Sequence, residues 1–473
     1  MTAFAWTDAD VRRALGLRVE LAEPELVYER VCTDSRSVRE GDLYVALVGE
    51  RFDGHDFVAD ALASGAVGAV VSRQPADDSM SRLYPVDDTL VALGRLAAYR
   101  RARLEVPVVA ITGSAGKTST KEMAAAALGS TLSVHATRGN LNNRIGMPQT
   151  LLDAPTDAEV VVLELGTNEP GEIATLAEIA RPDVAIVTTV GESHLEKLGS
   201  LEGVLREKLD ILRHLAEGGS CIVGDEPPVL AERARALCPR VRVIGWSDRA
   251  DATDRPDHAE VDVFGRYTFE WKGHRVSVPM PGRHAVSNAL IALTVSEVLG
   301  VPPKDAIRGV AAARAGSMRG ELRRIGSLTV VVDCYNANPQ SVRASLDVLD
   351  EQGVAARKVA VLGSMLELGD RSAALHAEVL ADALGRELDL IAATGAFADA
   401  AEGISDPRLI VSDDWRAAWP SLSARLEGDE IILLKASRGI ALEGMLPLLE
   451  SEFGEDAGGA TVAADFGPRA VEV

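Results

Sequence analysis

The chain has 473 residues and a net charge of −22, with 47% hydrophobic and only 4% aromatic residues. Its length predicts two to four domains, and the acidic balance argues against a nucleic-acid partner, which would need a basic face. No apolar run predicts a membrane helix, the start does not have the pattern of a signal peptide, and the cysteines lack CxxC spacing. We therefore expect a cytoplasmic protein without membrane insertion, with reduced thiols at Cys32, Cys221, Cys238 and Cys334.

The first predicted unit, residues 1–85, is a small α/β domain. Turn-forming residues and short apolar runs alternate along it. They predict, in order, a turn at Asp34, Ser35 and Arg36, a strand at residues 41–47, a polar loop at 49–55, a helix at 56–64 and a strand at 66–72. A helix at residues 90–104 is expected to connect this unit to the next.

The second unit, residues 86–315, opens with a glycine loop between a strand at residues 108–111 and a helix. Such a loop directs N–H groups and a helix N-terminus at an anion. Lys117 can then reach terminal phosphates and the Thr118 hydroxyl can hold Mg²⁺. The spacing departs from the usual eight-residue Walker A motif because Ile111 replaces its first glycine, so an ordinary strand-turn-helix is the alternative. The residues predicted to bind ATP here are Gly113, Ser114, Ala115, Gly116, Lys117, Thr118 and Ser119.

The remainder of the second unit alternates buried strands with helices, which predicts a parallel sheet resembling those of P-loop ATPases. One strand, at residues 160–164, ends in Glu164, and another, at 182–190, is followed by His194. Ligands bind at the carboxyl ends of such strands, so both side chains are expected beside the glycine loop. Residues 262–279 predict an antiparallel edge, and a helix follows from residue 281.

The third unit, residues 316–453, is predicted to be a Rossmann-like, doubly wound α/β domain. Helical stretches separate its apolar runs. Five buried strands are expected, at residues 328–333, 358–362, 389–394, 408–411 and 430–435. The tail at residues 454–473, rich in Gly, Ala, Asp and Glu, predicts disorder.

Several motifs together carry a family resemblance. In chain order they are Thr-Gly-Ser-Ala-Gly-Lys-Thr at 112–118, Gly-Asn-Leu-Asn-Asn-Arg-Ile-Gly-Met-Pro at 139–148, Glu-Leu-Gly-Thr-Asn at 164–168, Gly-Glu-Ser-His at 191–194, Gly-Arg-His-Ala-Val-Ser-Asn-Ala at 282–289, Asp-Cys-Tyr-Asn-Ala-Asn-Pro at 333–339 and Gly-Ser-Met-Leu-Glu-Leu-Gly at 363–369. The chain resembles the Mur ligases of peptidoglycan synthesis from residue 34 to about residue 438. The last two motifs are most similar to the branch that joins D-alanyl-D-alanine to UDP-N-acetylmuramoyl-tripeptide. The resemblance implies three domains and ATP-driven amide bond formation.

The chemistry of the residues agrees with that reaction. A carboxylate reacts poorly with an amine at neutral pH, but ATP can convert it to an acyl phosphate that the amine then attacks. The protein must position the γ-phosphate and neutralise its charge. Lys117 and the loop N–H groups suit this task, and Thr118 and Glu164 suit Mg²⁺.

Other roles follow only from the resemblance. It implies that Lys117, Lys208, His194 and Arg319 are catalytic, and that Thr118, Glu164, His194 and a carbamylated Lys208 hold two Mg²⁺ ions. It also implies ATP contacts from His284, Asn288, Asp333 and Asn336, although Asp333, at the end of a strand, equally suits a Lys or Arg partner. Substrate contacts are implied for Asp34, Ser35, Arg36, Asn140, Asn142, Asn143, Thr167, Asn168 and Asn338.

From the residues alone, ordinary structural roles stay open for several of these positions. Lys208 lies in a charged helical stretch, where a solvated lysine pairing with neighbours is the alternative. A lone histidine such as His194 is often structural. His284 and Asn288 share a helix face but suit a helix cap, and Asn336 and Asn338 suit Asx turns before a proline.

Three other functions compete with this ligase. A Mur-type ligase that adds the third stem residue should carry an Asp-Asn-Pro-Arg motif, which is absent. Folylpolyglutamate synthetase should carry Asn-Gly-Lys-Gly, which Ala-Gly-Lys-Thr replaces here. A P-loop kinase or nucleotide-sensing module leaves the first and third units without a role. We expect a monomer, and the sequence does not distinguish meso-diaminopimelate from lysine in the substrate.

Overall fold

The structure, a computed structural model, describes residues 4–49, 51–73, 82–246, 254–351 and 357–454. The predicted disordered tail lies outside these residues except for Gly454. None of the helices in the described ranges is long and apolar enough to cross a membrane.

The N-terminal unit combines a two-stranded antiparallel pair with a parallel sheet of order β3-β4-β5-β6. The helix predicted at residues 56–64 starts as a 3-10 turn, because the Asp53 side chain accepts a hydrogen bond from the N–H of His55. The elements are β1 (Trp6–Thr7), α1 (Asp8–Leu15), β2 (Val27–Tyr28), β3 (Arg30–Cys32), β4 (Asp42–Val45), α2 (Val58–Ala63), β5 (Gly68–Val71), β6 (Leu83–Pro85) and the connecting α3 (Thr89–Arg101).

Helix α3 ties this unit to the central one. Asp88 caps its start through the N–H groups of Leu90 and Val91. At its other end the Arg101 guanidinium donates to the carbonyl of Ala180 and pairs with Asp183 at 2.8 Å. The helix therefore ends in contacts with the central unit.

The central unit contains the predicted parallel sheet, of order β12-β11-β10-β7-β9-β8, beside an antiparallel three-stranded sheet of β13, β14 and β15. Its elements are β7 (Val108–Thr112), α4 (Lys117–Leu128), β8 (Val134–Ala136), α5 (Gly146–Leu152), β9 (Val160–Glu164), α6 (Glu172–Ala180), β10 (Val184–Val187), α7 (Leu195–Leu198), α8 (Leu201–Leu209), β11 (Ser220–Gly224), α9 (Pro228–Leu237), β12 (Val241–Ile244), β13 (Asp257–Val261), β14 (Arg266–Trp271), β15 (His274–Pro281), α10 (Arg283–Val298) and α11 (Pro303–Ala312).

The register of the central sheet positions the site. Ile111 on β7 is paired with Glu164 on β9, and Thr112 is paired with Val187 on β10. Because these strands are parallel, their carboxyl ends meet at one edge, where the glycine loop also begins.

The C-terminal unit is a six-stranded sheet of order β16-β17-β21-β18-β19-β20. Two of the five predicted strands have the predicted bounds, the other three differ by one residue at one or both ends, and the strand β16 (Glu321–Ile325) was not predicted. That antiparallel edge strand reads Glu-Leu-Arg-Arg-Ile and is only partly buried, so its charges mask the strand pattern. The elements are β16 (Glu321–Ile325), β17 (Leu328–Asp333), α12 (Pro339–Asp350), β18 (Lys358–Leu362), α13 (Ser372–Leu384), β19 (Leu390–Thr394), α14 (Ala396–Ala400), β20 (Leu409–Ser412), α15 (Trp415–Ser423), β21 (Ile431–Lys435) and α16 (Leu446–Phe453).

One buried apolar cluster runs through all three units, from Trp6 through Leu163 to Val331. The predicted α/β class with parallel sheets is confirmed. The residue bounds 1–85, 86–315 and 316–453 stay predictions.

Candidate active site

A cavity of about 1090 Å³ lies between the central and C-terminal units. It is lined by the glycine loop, by the ends of neighbouring central strands and by the loop that follows β17. The predicted site residues that line it are Ser114, Ala115, Gly116, Lys117, Ser119, Asn140, Asn142, Asn143, Glu164, Thr167, Asn168, His194, His284, Asn288, Arg319, Asp333, Asn336 and Asn338.

The glycine loop has the backbone that its sequence predicts. Gly113 and Gly116 have φ values of 147° and 79°, and a Cβ at Gly116 would lie 2.7 Å from Oδ1 of Asn288. The Nζ of Lys117 donates to the Gly113 carbonyl at 2.7 Å. Burial lowers the pKa of Lys117, although the nearby Glu164 carboxylate opposes that shift. The ammonium is therefore folded back over the loop where an anion would sit.

Glu164 is held at the end of β9 by two neutral donors. The Thr118 hydroxyl donates to its Oε2 at 2.8 Å, and the Asn142 amide donates to its Oε1 at 2.7 Å. In the described ranges no three His, Cys, Asp or Glu side chains form a metal-binding cluster. Mg²⁺ bound with nucleotide needs only one or two protein oxygens beside waters and phosphates, and Thr118 with Glu164 can supply them.

Lys208 is fully buried on α8, and its Nζ has no hydrogen-bond partner among the described residues. Burial lowers its pKa well below the ordinary value, and repulsion from Lys117 adds to that shift. The interpretation as a solvated helix lysine is therefore wrong. Lys208 lies behind the cavity rather than in its lining.

His194 faces the C-terminal unit. It has a left-handed backbone with φ 52°, and its Nδ1 lies 2.6 Å from Oε2 of Glu367. The two atoms are within ion-pair distance, but their geometry does not meet the angles of a hydrogen bond. Contact with His194 lowers the pKa of Glu367. The backbone N–H of Glu196 also donates to the Glu367 carbonyl at 3.2 Å. The chain thus brings a predicted catalytic residue against the motif at residues 363–369.

Asp333 ends β17 in a polar cluster at the cavity wall, where its side chain is 20% exposed. The Lys435 ammonium and the Ser345 hydroxyl contact its Oδ2 at 2.7 and 2.6 Å, and Lys435 also donates to the carbonyl of Asn336. Burial alone would raise the pKa of Asp333, but Lys435 and these hydrogen bonds hold it below the ordinary value. Its carboxylate is therefore committed to an internal partner.

Two more predicted residues in this loop differ in role. Asn338 caps α12 through the N–H of Ser341, as the Asx interpretation expects, and its amide also donates to the Ser114 carbonyl at 3.3 Å. Asn336 accepts from the N–H of Ala337. The C-terminal loop thus contacts the glycine loop directly.

The predicted nucleotide residues outside the loop also converge on the cavity. Asn288 accepts from the Thr120 hydroxyl at 3.1 Å, and burial lowers the pKa of His284 one turn earlier. The Arg319 guanidinium lies 3.9 Å from the centre of the Tyr335 ring. All three side chains face the same opening.

The predicted substrate residues form two groups. Asn143 caps the start of α5, and the Thr167 hydroxyl donates to the Glu207 carboxylate. Asp34 and Arg36 pair with each other at 2.8 Å on the N-terminal unit. Asp34, Ser35 and Arg36 do not line the cavity, so the structure separates them from the other substrate residues.

Sequence reasoning missed four charged residues around the site. The sequence does indicate a site position for Lys435, because this residue ends a predicted strand of the same parallel sheet as Asp333. Glu367 lies in the motif at residues 363–369, which marked the segment without giving this residue a role. Lys121 and Glu207 lack such an indication, and Glu207 accepts hydrogen bonds from the N–H groups of Gly171 and Ile173.

Comparisons with known proteins agree with this geometry. The chain matches family models described as the Mur ligase family, catalytic domain, at residues 27–101, the Mur ligase middle domain at 111–296, and the Mur ligase, glutamate ligase domain, at 318–438. It is 35% identical to the UDP-N-acetylmuramoyl-tripeptide–D-alanyl-D-alanine ligase of Bacillus subtilis, over 91% of this chain and 96% of the relative. It is 36% identical to the enzyme of that name from Escherichia coli, over 92% and 96%.

Solved structures of similar proteins extend this agreement to the fold. MurF from Acinetobacter baumannii superimposes with a TM-score of 0.88 at 33% identity, over 95% of this chain and 100% of the other. MurF from Thermotoga maritima, solved in complex with ADP, gives 0.80 at 30% identity, over 90% and 98%. UDP-N-acetylmuramoyl-L-alanyl-D-glutamate–2,6-diaminopimelate ligase gives 0.55 at 15% identity and shares the fold alone.

Proposed function

The chain belongs to the Mur ligase family, and we infer that it is an ATP-dependent ligase that joins D-alanyl-D-alanine to UDP-N-acetylmuramoyl-tripeptide in peptidoglycan synthesis. The observation that carries this function is the cavity in which the glycine loop meets the 333–339 loop. Relatives of this name match more than nine-tenths of the chain.

The reaction proceeds in two successive displacement steps. The terminal carboxylate of the tripeptide attacks the γ-phosphorus of ATP, which forms an acyl phosphate and expels ADP. The amine of D-alanyl-D-alanine then attacks the acyl carbon, loses a proton and expels phosphate as the C–N bond forms. Positioning and charge neutralisation supply most of the catalysis in such phosphoryl transfers.

We assign the first step to the glycine loop. The loop N–H groups and the Lys117 ammonium neutralise charge on the phosphates. The Asn288 and His284 face of α10 holds the nucleoside, while Arg319, on the chain that enters the C-terminal unit, meets the phosphates. The contact between Ser114 and Asn338 supports this assignment because it joins the two halves of the cavity.

We propose that Thr118 and Glu164 hold Mg²⁺ and that Lys208 is carbamylated next to a second ion, with His194 near it. Mg²⁺ held by Thr118 and Glu164 would supply positive charge against the negative charge that develops on the phosphates. The unpartnered, buried amine of Lys208 supports the carbamate. A neutral amine can add CO₂, and the resulting anionic oxygens suit Mg²⁺.

The remaining assignments concern the acceptor. Asp34, Ser35 and Arg36 on the N-terminal unit hold the UDP end of the substrate, and Asn140, Asn143, Thr167 and Asn168 contact its peptide end. The enzyme works in the cytoplasm as a monomer.

Product mass spectrometry tests the function. The protein is incubated with UDP-N-acetylmuramoyl-tripeptide, D-alanyl-D-alanine, ATP and Mg²⁺. We expect the pentapeptide product, with phosphate released only when acceptor and amine are both present. A phosphorylated product without amide formation would instead identify a kinase. Substrates with meso-diaminopimelate or lysine at the third position determine which stem peptide is used.

A further inference from the structure

Lys121 lies one turn beyond Lys117 on α4 and is almost completely buried, with 1% of its surface exposed. Its Nζ donates to the Thr137 carbonyl at 2.7 Å and pairs with Glu122 at 2.7 Å. A buried ammonium is costly unless it is paired and hydrogen-bonded. The Lys121 ammonium is both paired and hydrogen-bonded, and its bond to Thr137 fixes α4 against the segment that contains Thr137.

The contact leads directly to the proposed metal carboxylate. Thr137, also buried, accepts the backbone N–H of Glu164 on its Oγ1 at 3.0 Å. The Glu164 carboxylate in turn accepts from Thr118, which lies on the same helix as Lys121. Together these hydrogen bonds connect α4 to Thr137, Thr137 to the end of β9, and the end of β9 back to α4.

The second oxygen of Glu164 depends on the same segment. Asn142, five residues after Thr137, donates to Oε1 of Glu164 and accepts the N–H of Gly166 on its carbonyl at 2.8 Å. Both ends of the 137–142 segment therefore contact Glu164 or the residues next to it. Its position decides where the carboxylate points.

We propose that Lys121 is a positioning residue for the nucleotide-bound metal, which fixes the 137–142 segment and through it the Glu164 carboxylate. The proposal rests on the proposed function, and it also assigns Asn142 to Glu164 rather than to the peptide substrate. Loss of an outer contact to a metal ligand typically costs about 10- to 100-fold in metal affinity or activity.

Calorimetric titration of ADP, without acceptor or amine, separates this role from a structural one. The dissociation constant of ADP is measured in EDTA and over a series of Mg²⁺ concentrations. In Lys121→Met we expect ADP binding in EDTA to stay within about twofold, while the Mg²⁺ concentration for half-maximal tightening rises about 10- to 100-fold. The matched control is Lys304→Met, an exposed lysine on α11, which should leave both quantities unchanged.

A second pair of variants keeps the test informative where Lys121→Met fails to fold. Thr137→Val keeps the shape but removes the acceptor for the Glu164 N–H, whereas Thr137→Ser keeps the hydroxyl. We expect the Mg²⁺ shift in the valine variant and its rescue in the serine variant.

Three outcomes overturn the proposal: equal weakening of ADP binding with and without Mg²⁺, an unchanged Mg²⁺ dependence, or equal behaviour of Thr137→Val and Thr137→Ser. Failure of the wild-type protein to bind ADP would contradict the proposed function instead.

Discussion

At the scale of single residues, substitutions of Lys208 should change the free energy of unfolding and the ligation activity in different directions. Its amine is buried without a partner in the described structure, and such a group costs about 1–3 kcal/mol. In CO₂-depleted, metal-free protein, Lys208→Met should therefore raise the free energy of unfolding by about that amount. Urea unfolding measures the change, and exposed Lys304→Met should stay within about 0.5 kcal/mol of wild type. A clear loss of stability in Lys208→Met would show that the amine has a partner.

The proposed carbamate at the same residue predicts a different readout. If an anionic ligand is needed, then Lys208→Arg should abolish ligation as completely as Lys208→Ala, because arginine supplies only a cation. CO₂ depletion should lower wild-type activity, and formate or acetate should partly restore Lys208→Ala. Phosphate release in each condition provides the measurement. Wild-type rates in Lys208→Arg would rule out the carbamate.

Lys117 should be essential for chemistry and dispensable for folding. Its Nζ contacts only the Gly113 carbonyl of its own loop among the hydrogen bonds of the described residues. The variant Lys117→Ala should lower kcat by at least about 10²-fold, the cost of removing one preorganised charge-stabilising group. Circular dichroism should show an unchanged fold. Substantial ATP-dependent ligation by the folded variant would contradict the assignment of the nucleotide site.

At the scale of elements, the pair of Lys435 and Asp333 joins the ends of β21 and β17. Removing one partner of a fully buried pair costs about 3–5 kcal/mol. Because Asp333 is 20% exposed and keeps its Ser345 hydrogen bond, Lys435→Met should destabilise the C-terminal unit by less, about 1–3 kcal/mol. The carboxylate that is left unpaired causes the loss. Asp333→Asn combined with Lys435→Met should therefore recover part of the stability. Hydrogen exchange of the β17 and β21 amides locates the effect, which should be absent from β7.

The same pair predicts a pH dependence. The pKa of Asp333 lies below its ordinary value in the folded protein, so its stabilising contribution is complete above the unfolded pKa and is lost as pH falls through the folded pKa. In Lys435→Met the ammonium is lost while the Ser345 hydrogen bond remains, so burial is less strongly opposed and the pKa of Asp333 should rise. The stability difference between wild type and variant should therefore shrink as the solution is acidified. Urea unfolding at several pH values measures this difference, and a constant gap would contradict the assignment.

At the scale of the whole molecule, we expect the three units to move as rigid bodies and to close on ATP. Reacting atoms must approach to about 3–3.5 Å, while the glycine loop and Asn336 lie on different units. X-ray scattering with an ATP analogue and acceptor should therefore show a smaller radius of gyration than the free enzyme. Superimposable profiles would not support closure from an open state.

The pair of His194 and Glu367 should favour that closed arrangement modestly. Half of the Glu367 side chain is exposed, and exposed pairs contribute about 0.2–1 kcal/mol. Glu367→Gln should thus raise the ATP concentration for half-maximal rate by about two- to fivefold rather than abolish activity. Steady-state kinetics measures this, with the exposed Glu387→Gln as the control. A loss of 100-fold or more would show that Glu367 takes part in the chemistry.

The sequence by itself determined the phosphate loop, the strands on either side of it and five of the six C-terminal strands. Strand and helix periods are local, and the left-handed φ of Gly116 is required by a turn that the neighbouring residues define. Glu164 and His194 could be placed at the sheet edge because parallel strands align their carboxyl ends. The family resemblance then supplied the roles that spacing alone left open.

Only the tertiary structure decided the surroundings of the charged side chains. Lys208 lies in a charged helical stretch with the local pattern of a solvated face, and Lys121 lies at the start of an alanine-rich stretch, yet both are buried by packing from distant segments. Asn142 reads as a loop residue until β9 brings Glu164 within 2.7 Å. Burial and pairing depend on contacts between residues far apart in the chain, and the local periodicity of the sequence does not encode those contacts.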